Sequence, residues 1–238
     1  MLPARRHDIS RLEGFSDAVF GFALALLAVS AEPPTSYAEL MDRLYGAVSF
    51  ACCFALLVWI WYEHNLFFRR YGLQDGPTAA INGALLFVVL FYVYPLKFMF
   101  DSMFSQFPVL RPPRGGVTQM SLWQLGNASA VYGAGFFALF LLFALLYRRA
   151  YTLRDELGLT PLEVFDVTAF ARHHLMSAFV GALSLAFALF APLRLVFIAP
   201  MFFALMGPAH WWLGRVMEQK RLALIDALAG QPAATIRT

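Results

Sequence analysis

Apolar residues in this chain run in long blocks instead of alternating with polar ones. Six blocks read as membrane-spanning helices: Phe15–Ala31, Leu44–Phe68, Ala79–Phe100, Leu125–Tyr147, Leu175–Leu193 and Leu195–Gly214. Each approaches the roughly 20 apolar residues that a crossing requires. The last two abut at Pro192 and Arg194, which predicts a helical hairpin with almost no loop. Pro33 and Pro34 end the first helix, because proline cannot continue it and restrains the residue before it. That first run is short, so its opening turn, with Ser16 and Asp17, is expected at the membrane boundary or within protein. The stretch Asp101–Gln124, rich in Pro and Gly, reads as an irregular extracytoplasmic loop. Asp155–Asp166 reads as a polar connector in which Thr160 caps a short helix. The expected fold class is an all-α membrane protein with six transmembrane helices. Residues 1–14 form a cytoplasmic segment, 15–214 the membrane domain and 215–238 a cytoplasmic tail.

Composition strengthens this reading. Of 238 residues, 60% are hydrophobic and only 14% charged, against roughly 45–50% and about 25% in soluble proteins. No polar stretch is long enough to build a separate soluble core. The net charge of +3 does not point to nucleic acid, because the basic residues flank the apolar blocks. Thirteen of the 18 Lys and Arg fall on one side of the predicted membrane, from Arg5, Arg6 and Arg11 to Arg215, Lys220, Arg221 and Arg237. Positive charge stays cytoplasmic, so both termini are expected inside, in the cell (plasma or inner) membrane. Trp59, Trp61, Tyr62, Tyr92, Tyr94, Tyr147, Trp211 and Trp212 are candidates for the aromatic belts. Adjacent Cys52 and Cys53 read as small buried hydrophobes.

Ionisable groups at membrane depth are costly, so function is sought there first. The candidates are Asp17, Glu63, His64, His173, His174 and His210. On a helical wheel with Asp17 at zero, Phe15, Val19, Phe22, Leu26 and Val29 fall between about 120° and 200°. Gly21, Ala25 and Ala28 fall between about 20° and 80°, a small-residue face that permits close helix approach. Asp17 edges that face and is expected to meet protein, with His64 or Arg11 as partner. By composition alone the bulky stripe reads as ordinary lipid contact. Zinc-protease, thiol-redox, nucleophile-elbow, nucleotide-loop and T-V-G-Y-G filter motifs are absent. Haem held by His64 with His174 or His210 has no defining spacing behind it.

The segment Arg11-Leu-Glu-Gly-Phe-Ser-Asp17 resembles the R-x-x-x-F-S-D signature that opens the first helix of the transmembrane protein 175 family, lysosomal-type potassium channels and their prokaryotic relatives. Trp61-Tyr-Glu-His64 is similar to the family's W-x-x-H stretch closing the second helix. The resemblance implies a homotetramer of six-helix subunits in a lipid bilayer, with helix one from each subunit lining a central pore for potassium ions. It implies that Arg11, Phe15, Ser16, Asp17, Trp61 and His64 form the network holding helix one. It places the hydrophobic constriction at Phe22, with Ala25, Leu26 and Val29 as further pore-lining positions. No enzyme activity, cofactor or metal is implied.

Two departures bear on selectivity. Phe22 replaces the family's usual isoleucine or leucine. Some prokaryotic members carry a threonine at the position of Ala25, which has no hydroxyl to replace an ion's water. The resulting expectation is a potassium-permeable cation channel. The alternatives are a weakly selective or proton-conducting channel, a non-conducting membrane scaffold and a haem-binding redox protein.

Overall fold

The computed structural model describes residues 9–29, 34–104 and 121–229. Among them there are helices and turns and no strand. The order is α1 (Arg11–Val29), α2 (Tyr37–Tyr45), α3 (Ala47–Tyr71), α4 (Gly76–Phe104), α5 (Leu122–Thr152), α6 (Pro161–Phe190), a 3-10 segment (Leu193–Leu205) and α7 (Met206–Ala229). Five stretches are long and apolar enough to cross a membrane: α3, α4, α5, α6, and the 3-10 segment continued by α7. The sixth expected span, α1, is not among them.

Local sequence starts these helices. Ser10 caps α1: its hydroxyl accepts from the Glu13 N–H, and the Glu13 carboxylate accepts from the Ser10 N–H. Ser121 with Gln124 builds the same reciprocal box at α5, and Thr160 with Glu163 at α6. Each box satisfies donors that a helix start otherwise leaves bare. Gly72 ends α3 in the left-handed region at φ 59°, its N–H donating to the Phe68 carbonyl.

Several expected boundaries move. Leu44 belongs to α2, which Gly46 separates from α3, so the second span starts at Ala47. The polar connector ends sooner than expected. Thr160 does cap a helix, but that helix is α6 itself, 30 residues long. Pro161 starts it instead of breaking it, because a first-turn residue needs no N–H partner. The hairpin after α6 turns within Ala191 and Pro192, as the sequence suggests, but its second limb begins as 3-10 helix. The domain boundaries at 14/15 and 214/215 fall inside α1 and α7. The Pro/Gly-rich loop lies almost wholly outside the described residues, as do Pro33, Arg5, Arg6 and Arg237.

Helix α4 packs against α1, α3 and α5, and α5 in turn against α3, α6 and the 3-10 segment. Phe20, Ala23 and Leu27 of α1 join Leu57 and Ile60 of α3 and Leu85, Leu86 and Val89 of α4 in one buried core. The α5–α6 contact is closer still. A methyl at Gly133 would lie 2.7 Å from the Leu185 backbone nitrogen, and one at Gly181 would lie 2.8 Å from that of Phe137. Those two glycines let the helix backbones nearly touch. The aromatic belt is smaller than expected. Tyr92 and Tyr147 are buried and Trp61 points into protein, whereas Trp59, Tyr62, Tyr94, Trp211 and Trp212 are exposed.

Candidate functional site

The polar residues of α1 enter the protein at its first two turns. Ser16 is fully buried, and its hydroxyl donates to the Leu12 carbonyl at 2.8 Å. A hydroxyl has one proton, so Ser16 Oγ accepts from Asn82 Nδ2 at 2.9 Å. Asn82 of α4 therefore turns Oδ1 toward His64 of α3, 2.7 Å from Nε2. That order fixes His64 as the tautomer carrying its proton on Nε2. The result is a directed chain, His64 to Asn82 to Ser16 to Leu12, joining three helices. Phe20 and Phe68 pack on the His64 ring at 5.4 and 4.6 Å between centroids.

A second tie lies beside the first. Trp61 Nε1 donates to Asp17 Oδ1 at 2.7 Å. Trp61 and His64 stand three apart on α3, so one face of that helix carries both groups. Ser16 and Asp17 are neighbours on α1, and their directions diverge by about 100°. Ser16 therefore reaches α4 while Asp17 reaches α3. Asp17 meets protein as expected, but its partner is Trp61 and not His64 or Arg11. Asn82 was missed from the sequence. Its signal was a lone amide inside an apolar span, which in lipid must find a partner.

The rest of α1 has two unlike sides. Glu13, Ser16, Phe20, Ala23 and Leu27 are buried at helical spacing against α3 and α4. On the other side Arg11, Ala18, Gly21, Ala25 and Ala28 are exposed, with Phe15 at 60% and Phe22 at 58% exposure. Leu26 is half-buried, and the side chain of Val29 lies outside the described residues. Among the described residues no helix covers the small-residue face: a methyl at Gly21 would meet nothing within 4 Å.

The remaining histidines lie elsewhere. His173 of α6 and His210 of α7 face each other with Nδ1 atoms 3.0 Å apart, and His210 Nε2 is 2.9 Å from the Ser177 hydroxyl. His174 is buried between Phe143 and Tyr147, with ring centroids at 5.0 and 5.2 Å. His64 is occupied by Asn82 and two phenylalanines, so haem ligation has no observation behind it. Among the described residues no group of three or more His, Cys, Asp or Glu is placed to hold a metal ion.

A protein of Marivirga tractuosa named as a potassium channel is 35% identical over 228 residues, covering 91% of both chains. The chain belongs to the transmembrane protein 175 family. The family described as endosomal/lysosomal potassium channel TMEM175 matches residues 11–92. That stretch holds every member of the two ties: Ser16, Asp17, Trp61, His64 and Asn82. A crystal structure of a variant of the potassium channel MtTMEM175, bound to a nanobody fusion, superposes with TM-score 0.82 at 34% identity. It covers 91% of this chain and 97% of that one. The fold is also shared with a family homologue from Chamaesiphon minutus, at TM-score 0.53 and 22% identity, covering 87% and 96%.

Proposed function

We propose that this chain forms a potassium-permeable cation channel, a homotetramer in which α1 of each subunit lines a pore narrowed at Phe22. The observation that carries the reading is the two-sided α1. One side is pinned to α3 and α4 by two polar ties, while the other leaves Phe15, Phe22 and Ala25 exposed among the described residues. An apolar helix anchored this way by family-signature residues is suited to meet copies of itself around an axis. The relatives named as potassium channels support the ion.

In this reading α1 is the sixth span, since 19 residues cover about 28 Å of helix. Both termini are cytoplasmic in the plasma or inner membrane, as the one-sided basic clusters favour. Four Phe22 rings exclude water until the helices move apart, and a wetted constriction then conducts. The ties at Ser16 and Asp17 hold one end of α1 while Phe22, further along it, shifts. Ala25 favours a second reading, a weakly selective channel, because a methyl offers an ion no oxygen.

Ion flux into liposomes under separate potassium and sodium gradients tests the proposal. Potassium-preferring flux that disappears with the tetramer is the expected result, and Phe22→Ala is expected to raise the resting leak. Equal flux for both ions would select the weakly selective reading. An intact tetramer that stays silent even as Phe22→Ala would leave a scaffold.

A further inference from the structure

The short helix α2, Tyr37-Ala-Glu-Leu-Met-Asp-Arg-Leu-Tyr45, is encoded locally. Glu39 N–H donates to the Ser36 hydroxyl, while the Thr35 N–H and hydroxyl both donate to the Glu39 carboxylate at 2.7 and 2.9 Å. With Leu40 at zero on a wheel, Leu44, Tyr37, Met41 and Tyr45 span an arc of about 140°, and Glu39 and Arg43 lie near 260° and 300°. The apolar arc is only half used. Met41 and Tyr45 are half-buried, whereas Leu40, Leu44 and Tyr37 are 42%, 57% and 76% exposed. Among the described residues α2 touches α3 and no other helix.

Nine residues form a marginal helix in water, so a helix this short needs an apolar surface to stay ordered. Its position supplies one. A single residue, Gly46, separates α2 from the span α3, so α2 sits at the level where that span leaves the bilayer. Val48 and Phe54, on the first two turns of α3, are also exposed. Tyrosines at both ends suit the boundary between headgroups and acyl chains.

We propose that α2 is a bilayer-interface anchor, lying in the plane of the membrane surface with Leu40, Leu44 and Tyr37 against acyl chains and Glu39 and Arg43 among headgroups. The partner is the apolar boundary of the lipid and not anionic headgroups, because α2 carries one arginine and no basic cluster. The inference rests on membrane residence and is independent of conduction.

Nitroxide labels on single cysteines test it, in a Cys52→Ala/Cys53→Ala background reconstituted in phosphatidylcholine vesicles. Labels go at positions 40 and 44, at 39 and 43, and at exposed Phe87 of α4 as a reference for lipid contact. Accessibility to oxygen relative to a water-soluble nickel chelate is expected to be severalfold higher at 40 and 44 than at 39 and 43. It should stay unchanged when anionic lipid is added. Nickel access at 40 and 44 equal to that at 39 and 43 would place α2 in water and overturn the proposal. Labels at 40 and 44 shielded from both reagents would assign the arc to a second copy of the chain, and that too would overturn it. If the double-cysteine background misfolds, the same labels in a Cys52→Ala background, where Cys53 is fully buried, give the same decision.

Discussion

Replacing Asn82 by leucine cuts the chain of hydrogen bonds at its middle while keeping the volume filled. His64 is 1% exposed, so its Nε2–H would be left buried without an acceptor, which costs about 1–3 kcal/mol. Ser16 keeps its bond to Leu12 but loses the incoming one from Asn82, a further 0.5–1.5 kcal/mol or so. The expected loss is therefore roughly 2–4 kcal/mol, with the lower half favoured because leucine escapes the desolvation that asparagine bears. Unfolding in mixed micelles titrated with a denaturing detergent reads the difference. A second arm uses His64→Phe alone and with Asn82→Leu. Removing both partners leaves no orphaned donor, so the double variant is expected to recover about 1–2 kcal/mol relative to additivity. An Asn82→Leu loss under about 0.5 kcal/mol, or strict additivity of the pair, would refute the directed chain as what binds α1 to α3 and α4.

Other outcomes follow from the same structure. Gly181→Ala places a methyl 2.8 Å from the Phe137 backbone nitrogen and is expected to cost about 1–3 kcal/mol. Gly83→Ala, where nothing lies within 4 Å, should not destabilise in the same assay. Trp61→Phe removes the donor to Asp17 and should lower the yield of the proposed tetramer, whereas Asp17→Asn keeps an acceptor oxygen and should lower it less; equal yields would remove the tie's role in the proposed assembly. Asp75, between α3 and α4, bonds Thr78 and pairs with Arg149 at 2.9 Å. Burial pushes its carboxyl up, but the bonds from Thr78 and Arg149 outweigh that and hold it below the usual range. A lowered folded value contributes stability above the unfolded value, near 3.9, and loses it as pH falls further. Asp75→Asn is thus expected to destabilise by roughly 1 kcal/mol or less at pH 7. The gap from wild type should close below about pH 4, and thermal unfolding at several pH values checks this.

Much of this was legible in the chain itself. Block length marked where the helices run, and Thr160 announced the start of α6 even though Pro161 disguised its length. The family signature pointed to Ser16, Asp17, Trp61 and His64, but pairing them needed the third dimension. A wheel gives direction around one helix and not depth or the neighbour met there, which is why His64 or Arg11 looked as good for Asp17 as Trp61. Asn82 advertised a need for a partner without naming it. The break at Gly46 was hidden because Leu44 and Tyr45 extend an apolar run whose phase changes at the glycine. In Leu193–Leu205 nearly every residue is apolar, so no polar positions remain to reveal whether the winding is α or 3-10.

That last segment has a mechanical consequence. Thirteen residues of 3-10 helix reach about 26 Å, where α winding would reach about 20 Å. Pro200 lies within the run, and in an α-helix its ring would strike the carbonyl of Val196. The proline therefore favours the tighter 3-10 winding of this limb over α. The limb covers that length with fewer residues than an α-helix needs. Each residue deleted from it would shorten the limb by about 2 Å, against about 1.5 Å in an α-helix.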